Sequence, residues 1–77
     1  MDKAAEYRIR VAGEVPASWS DRFGDMQITF EKEGDDKTVT VLEGRLRDQA
    51  ALSGVLNTLY ELHHSVLSVE RLGEQEN

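Results

Sequence analysis

The sequence contains no cysteine. That excludes a disulfide framework and any thiolate metal site. It also lacks an apolar run approaching the roughly 20 residues that cross a bilayer as a helix. Aromatic residues are few, at 6% of 77 residues, and basic residues are outnumbered, 9 Lys and Arg against 15 Asp and Glu, for a net charge of −6. An acidic surplus disfavours nucleic acid and anionic membrane surfaces, both of which attract basic patches. It is also an ordinary way to stay soluble. The opening stretch MDKAAEYRIR carries charges where a signal peptide needs an apolar run, so a cytoplasmic setting is expected.

At 39% hydrophobic and 31% charged residues, the chain has the composition of a globular domain. Residues 1–77 read as a single domain, ordered over about 6–72 with frayed termini. A chain of this length buries only about 60% of the surface its unfolded form exposes, so its core is modest and self-association would help it.

The elements follow from periodicity. Tyr7, Ile9 and Val11 alternate with Arg8, Arg10 and Ala12, the two-residue period of a half-buried strand. In PASWSDRFG, Pro16 suits a first helical position and Gly24 a left-handed cap. Trp19 and Phe23, four apart, would share one face of a short helix over residues 16–23; an ordered loop pinned by the two aromatics is the alternative. Met26, Ile28 and Phe30 mark a second strand, EGDDK a turn, and TVTVLEG a third strand that completes an antiparallel hairpin. In that third strand Thr40, Leu42 and Leu46 share one face while Val39 and Val41 lie on the other. Either both faces meet apolar groups or a bulge shifts the register.

Asp48 is an N-cap candidate. After it, Leu52, Val55, Leu56, Leu59 and Leu62 form one apolar stripe at spacings of three and four. Gly54 falls on the opposite side, where its missing side chain either weakens the helix or admits something close. SVLSVERL is the fourth strand.

Strand, short helix, strand, strand, helix, strand is the βαββαβ order of the ferredoxin-like plan, an α+β fold with strand order 4-1-3-2. The first helix is short or degenerate, and βββαβ is the alternative. The four-stranded, mainly antiparallel sheet would carry one long helix on one face. Alternation sets Tyr7, Ile9, Val11, Met26, Ile28, Phe30, Leu42, Leu67 and Val69 toward that helix. It sets Arg8, Arg10, Thr29, Glu31, Val39, Val41, Val66 and Ser68 on the open face.

From TVTVLEG through DQAAL and a Gly-containing leucine helix to a closing Leu-Ser-Val strand, the chain resembles a family of small prokaryotic proteins of no established function. The resemblance covers residues 38–72, and DQAAL at 48–52 is its most specific part. It implies no catalytic residues. Where members of that family have Gly after the helix, this chain has His63, a residue enriched in the left-handed cap conformation.

Candidate sites are few. His63 and His64 are adjacent, so they diverge, and no third His or Cys completes a metal site. Ser53, Ser65 and Ser68 sit in no nucleophile elbow. Asp35 and Asp36 lack the alternating spacing of a calcium loop. The open face offers no aromatic on its central strands for stacking RNA bases. The expectation is therefore no catalytic, cofactor or metal residues. Arg8, Arg10, Val39, Val41 and Val66 are the candidate interface of a self-associating, non-enzymatic interaction module that pairs as a homodimer through the open face or an edge strand. Trp19 and Phe23 are the candidate ligand pocket or interface anchor. The alternative function is a sensor of small, amino-acid-like ligands in the manner of ACT-type regulatory domains, a fold-level analogy.

Overall fold

A computed structural model describes residues 4–74 apart from residue 25. Its strands are β1 (Ala5–Ala12), β2 (Gln27–Lys32), β3 (Thr38–Leu46) and β4 (Val66–Glu74). A 3-10 helix (Ala17–Phe23) follows β1, and α1 (Gln49–Glu61) joins β3 to β4. The strands form one sheet in the order β2-β3-β1-β4, with every neighbouring pair antiparallel. This is the expected 4-1-3-2 order read from the other edge. Order extends slightly past the expected 6–72, because β1 starts at Ala5 and β4 runs through Gly73 to Glu74, which pairs with Ala5; the remaining expected fraying, at 1–3 and 75–77, lies outside the described residues.

The connection between β1 and β2 is helical but not α-helical. Pro16 takes φ −60 and ψ 136, so it precedes the helix rather than occupying its first turn, and Trp19 N–H donates to Pro16 O at 3.1 Å. The change of helix type overturns the expectation that Trp19 and Phe23 share a face. At three residues per turn, positions four apart diverge by about 120°, while positions three apart eclipse. Phe23 accordingly points into the core and is fully buried, Trp19 is only partly buried, and the Arg22 guanidinium lies 4.8 Å from the centre of the Trp19 ring.

In the core Ala5, Tyr7, Ile9 and Val11 of β1 meet Leu42 and Leu46 of β3, with Val55 and Leu59 of α1, Phe23 and Met26 closing over them. Leu52, Leu56 and Leu62 pack at the margin of this cluster. Gln49 donates to the Tyr7 hydroxyl at 3.2 Å, tying the start of α1 to the sheet. Asp48 caps that helix by accepting from Ala51 N–H at 2.8 Å. Thr40, the one buried polar side chain among the described residues, donates to Gly13 O at 2.7 Å and accepts from Val15 N–H at 2.9 Å.

The far end of α1 closes as a Schellman motif. His64 N–H donates to Leu59 O, His63 N–H donates to Tyr60 O, and His63 takes φ +63. A side chain in that conformation costs about 1 kcal/mol relative to glycine. His63→Gly is therefore expected to stabilise the domain by about 1 kcal/mol and raise Tm by about 5 °C, read by thermal denaturation.

The β1–β3 and β2–β3 ladders run without interruption, which answers the β3 pattern: both of its faces are apolar, with no bulge. The β1–β4 ladder instead slips twice, between Glu6 and Tyr7 and between Arg10 and Val11. The second slip leaves Leu67 as an extra residue and reverses the expected placement of its neighbourhood. Val66 pairs with Val11 on the helix side, while Leu67 lies beside Ala12 and Val39 on the open face. An inserted residue breaks the two-residue alternation on which the sequence reading depended.

Candidate functional site

Two sheet surfaces are available, and they differ in how far the chain covers them itself. On the open face two arginines of the central strand β1 are held by carboxylates from its neighbours. Arg8 pairs with Glu43 of β3 at 2.9 Å and with Glu70 of β4 at 3.3 Å. Arg10 pairs with Glu31 at 2.8 Å and Glu33 at 3.5 Å, reaching across the intervening β3. The Arg8 guanidinium is held above its ordinary pKa, chiefly by the hydrogen bond to Glu43 and then by the charge of that carboxylate. In register, Arg10 stands opposite Val41 and Glu31 opposite Val39, so the arginine stem passes over both valines. Val39 and Val41 are only 2% and 5% exposed. Of the residues expected to form one interface, Arg8, Arg10, Val39 and Val41 do share a face, but they satisfy one another within the single chain. Val66 is not among them.

The other surface is the β4 edge. Val66, Leu67, Val69 and Leu72 are 39%, 53%, 43% and 41% exposed, and Tyr60 on α1 is 81% exposed. The cause is the position of α1, which lies against β3 and the 3-10 helix and leaves the helix-side residues of β4 uncovered. Between the end of α1 and β4 runs a groove of about 610 Å3 lined by Leu56, Tyr60, His63, His64, Ser65 and Val66. Exposure of this edge was half legible: one helix cannot cover four strands. Which strand it leaves bare is set by packing that no local pattern encodes.

The two histidines have structural tasks. His63 supplies the left-handed cap. His64 Nδ1 lies 3.0 Å from Ala12 O; a carbonyl only accepts, so Nδ1 carries the proton and donates. The His64 ring also lies against Gly13, where an added Cβ would stand 3.4 Å from it. Gly13 has φ +88, so a larger residue there meets both backbone strain and the ring. This clasp fixes the end of β1 to the turn that begins β4. Among the described residues no group of three His, Cys, Asp or Glu side chains is placed to hold a metal ion. The EGDDK segment is a hairpin turn, with Glu33 N–H donating to Lys37 O at 2.8 Å and Gly34 at φ +89.

None of the depressions described is lined by both Trp19 and Phe23. Phe23 is fully buried in the core and backs a depression of about 340 Å3 beside Arg22, and Trp19 is shared between the core margin and Arg22. No helix among the described residues is long and apolar enough to cross a membrane.

A small α+β domain with an unshielded apolar edge strand and its charged face neutralised internally is thus the class that fold and surface define. The model of the family described as Domain of unknown function (DUF8691) matches residues 6–70, and the chain belongs to that family. No curated protein matches the chain.

Proposed function

We propose that this domain is a non-enzymatic interaction module whose partner is a second copy of itself, joined antiparallel along β4 in a cytoplasmic setting. The observation that carries the reading is the concentration of four exposed apolar side chains on one edge strand. An edge strand presents a row of backbone donors and acceptors to any chain that can pair with it. Antiparallel pairing of a strand with its own copy has a two-fold axis, so one surface serves both subunits.

The apolar pattern of the strand favours a second copy. Ser68, Val69, Glu70 and Arg71 are the regular stretch between the two register slips. Pairing this stretch with itself about Val69 sets Val69 opposite Val69 of the second copy on the helix side and Ser68 opposite Glu70 of the second copy on the open face, because a two-fold axis perpendicular to the sheet opposes residues of the same face. The bulges that flank the stretch keep the seam short, a common restraint on runaway edge pairing. A stable pair buries about 800 Å2 per partner, roughly a seventh of this chain's 5198 Å2 surface. The strand together with Tyr60 and Leu56 beside it offers an apolar surface continuous with that seam.

Light scattering over about 10–500 µM tests the reading, a range that spans weak to moderate association energies. The expected result is a dimer that Val69→Glu converts to monomer, with little cost to folding because Val69 is 43% exposed. Phe30→Glu, at an equally exposed site on the opposite edge strand, is expected to leave the dimer intact. A monomer at every concentration refutes the proposal, as does a dimer indifferent to Val69→Glu.

A further inference from the structure

We propose that the cavity on the open face, where β4 begins and the β2–β3 hairpin turns, binds a small zwitterion with an apolar side chain, an α-amino acid by chemical class. The cavity holds about 410 Å3; its floor includes Ala12, Val39 and Leu67, and its rim carries Glu33, Asp36 and Lys37. That volume falls within the roughly 300–1,000 Å3 of small-molecule sites.

The strand register puts the floor on one side of the sheet. Ala12 stands opposite Val39, and Val39 opposite Glu31, on the face that also carries Arg10. Leu67 joins them because the slip between Arg10 and Val11 inserts it there. Bulges are over-represented beside active sites, where they re-aim a side chain. Leu67 is 53% exposed, so an apolar group laid over it removes from water a surface that the chain itself leaves wet. Trp19 and Phe23, the ligand residues expected from the sequence, belong to the helix side and take no part.

The rim carries both signs of charge. The side chains of Asp36 and Lys37 make no ion pair or hydrogen bond with any described residue. Glu33 lends Oε2 to Arg10 at 3.5 Å, and its Oε1 has no described partner. The bond from Glu33 N–H to Lys37 O at 2.8 Å closes the turn that holds all three. An α-ammonium group can donate to Asp36 and Glu33 while the α-carboxylate accepts from Lys37, each a charge-assisted hydrogen bond. A simple amine leaves Lys37 unused, and a simple acid brings its charge up to two carboxylates of the same sign. Glycine, with no side chain, leaves the floor wet.

The full chain, isotope-labelled, is titrated with L-leucine, glycine, isopentylamine and 4-methylpentanoate at constant pH and ionic strength, and its backbone amide shifts are followed. The expected result is a saturable change with L-leucine at millimolar concentration or below, centred on residues 12–13, 33–39 and 67. Each of the other three compounds is expected to bind about tenfold more weakly. Lys37→Gln and Asp36→Asn, both at exposed turn positions, are each expected to weaken leucine binding about tenfold, with circular dichroism unchanged. An amine, acid or glycine that binds as tightly as leucine overturns the zwitterion with an apolar side chain. No saturable shift by about 10 mM, or shifts centred elsewhere, overturns the site altogether. Self-pairing about Val69 adds a strand beside β4 and does not reach β1, β3 or the hairpin turn. The Val69→Glu monomer is therefore expected to bind leucine as the parent does, which separates this outcome from the fate of the β4 seam.

Discussion

Replacing Phe23 by alanine is expected to cost about 3–5 kcal/mol and to bring the domain close to unfolding at room temperature. Phe23 is the largest fully buried side chain in the described structure. It descends from the 3-10 helix into the space among β1, β3 and α1, where a full-length first helix would otherwise bury several residues. A chain of 77 residues has a total stability of about 4–12 kcal/mol, so one aromatic ring carries a large share of it. Trp19→Ala removes a larger ring from a half-buried site and is expected to cost less. Urea unfolding followed by circular dichroism ranks the two; a Trp19 variant as unstable as the Phe23 variant would contradict the division of labour between them.

Thr40→Val should be nearly as damaging, although it conserves shape. The Thr40 hydroxyl donates to Gly13 O and accepts from Val15 N–H in a fully buried position. Valine leaves the buried Val15 N–H without a partner, at about 1–3 kcal/mol, and removes a hydrogen bond to the part-buried Gly13 O, at about 1 kcal/mol. The combined expectation is a loss of about 2–4 kcal/mol, with local loosening at residues 13–15. Thr40→Ser keeps the hydroxyl and is expected to recover most of that loss. Urea midpoints for the three proteins and amide exchange at Val15 measure it; a valine variant within about 0.5 kcal/mol of the parent contradicts the role assigned to the hydroxyl.

Both residues were visible in the sequence, but their roles were not. Thr40 falls on the inward face of β3 by simple alternation. Its hydrogen bonds go to the irregular chain after β1, some 25 residues away, and no local pattern announces them. Phe23 stands out as one of five aromatics. Pairing it with Trp19 assumed 3.6 residues per turn, and the segment winds with three. The same lesson holds at the β4 edge. Val66 and Leu67 exchange faces because β4 slips against β1, and a slip belongs to a pair of strands rather than to either one.

Local chemistry was enough for the rest of the frame. The alternation in β1, the carboxylate of Asp48 at the helix start, the stripe from Leu52 to Leu62 and the left-handed cap at His63 each depend on neighbours within a few residues, whereas on the edge strand β2 the alternation does not bury Phe30, which is 45% exposed. Element order together with antiparallel pairing then leaves few ways to arrange four strands, which is why the 4-1-3-2 order could be anticipated. Which face Arg10 closes and which strand α1 leaves bare were decided only in the tertiary structure. Each depends on where side chains distant in sequence come to rest once the sheet has twisted and slipped. Short-range geometry determined the elements of this protein, and long-range packing determined the surfaces through which it can act.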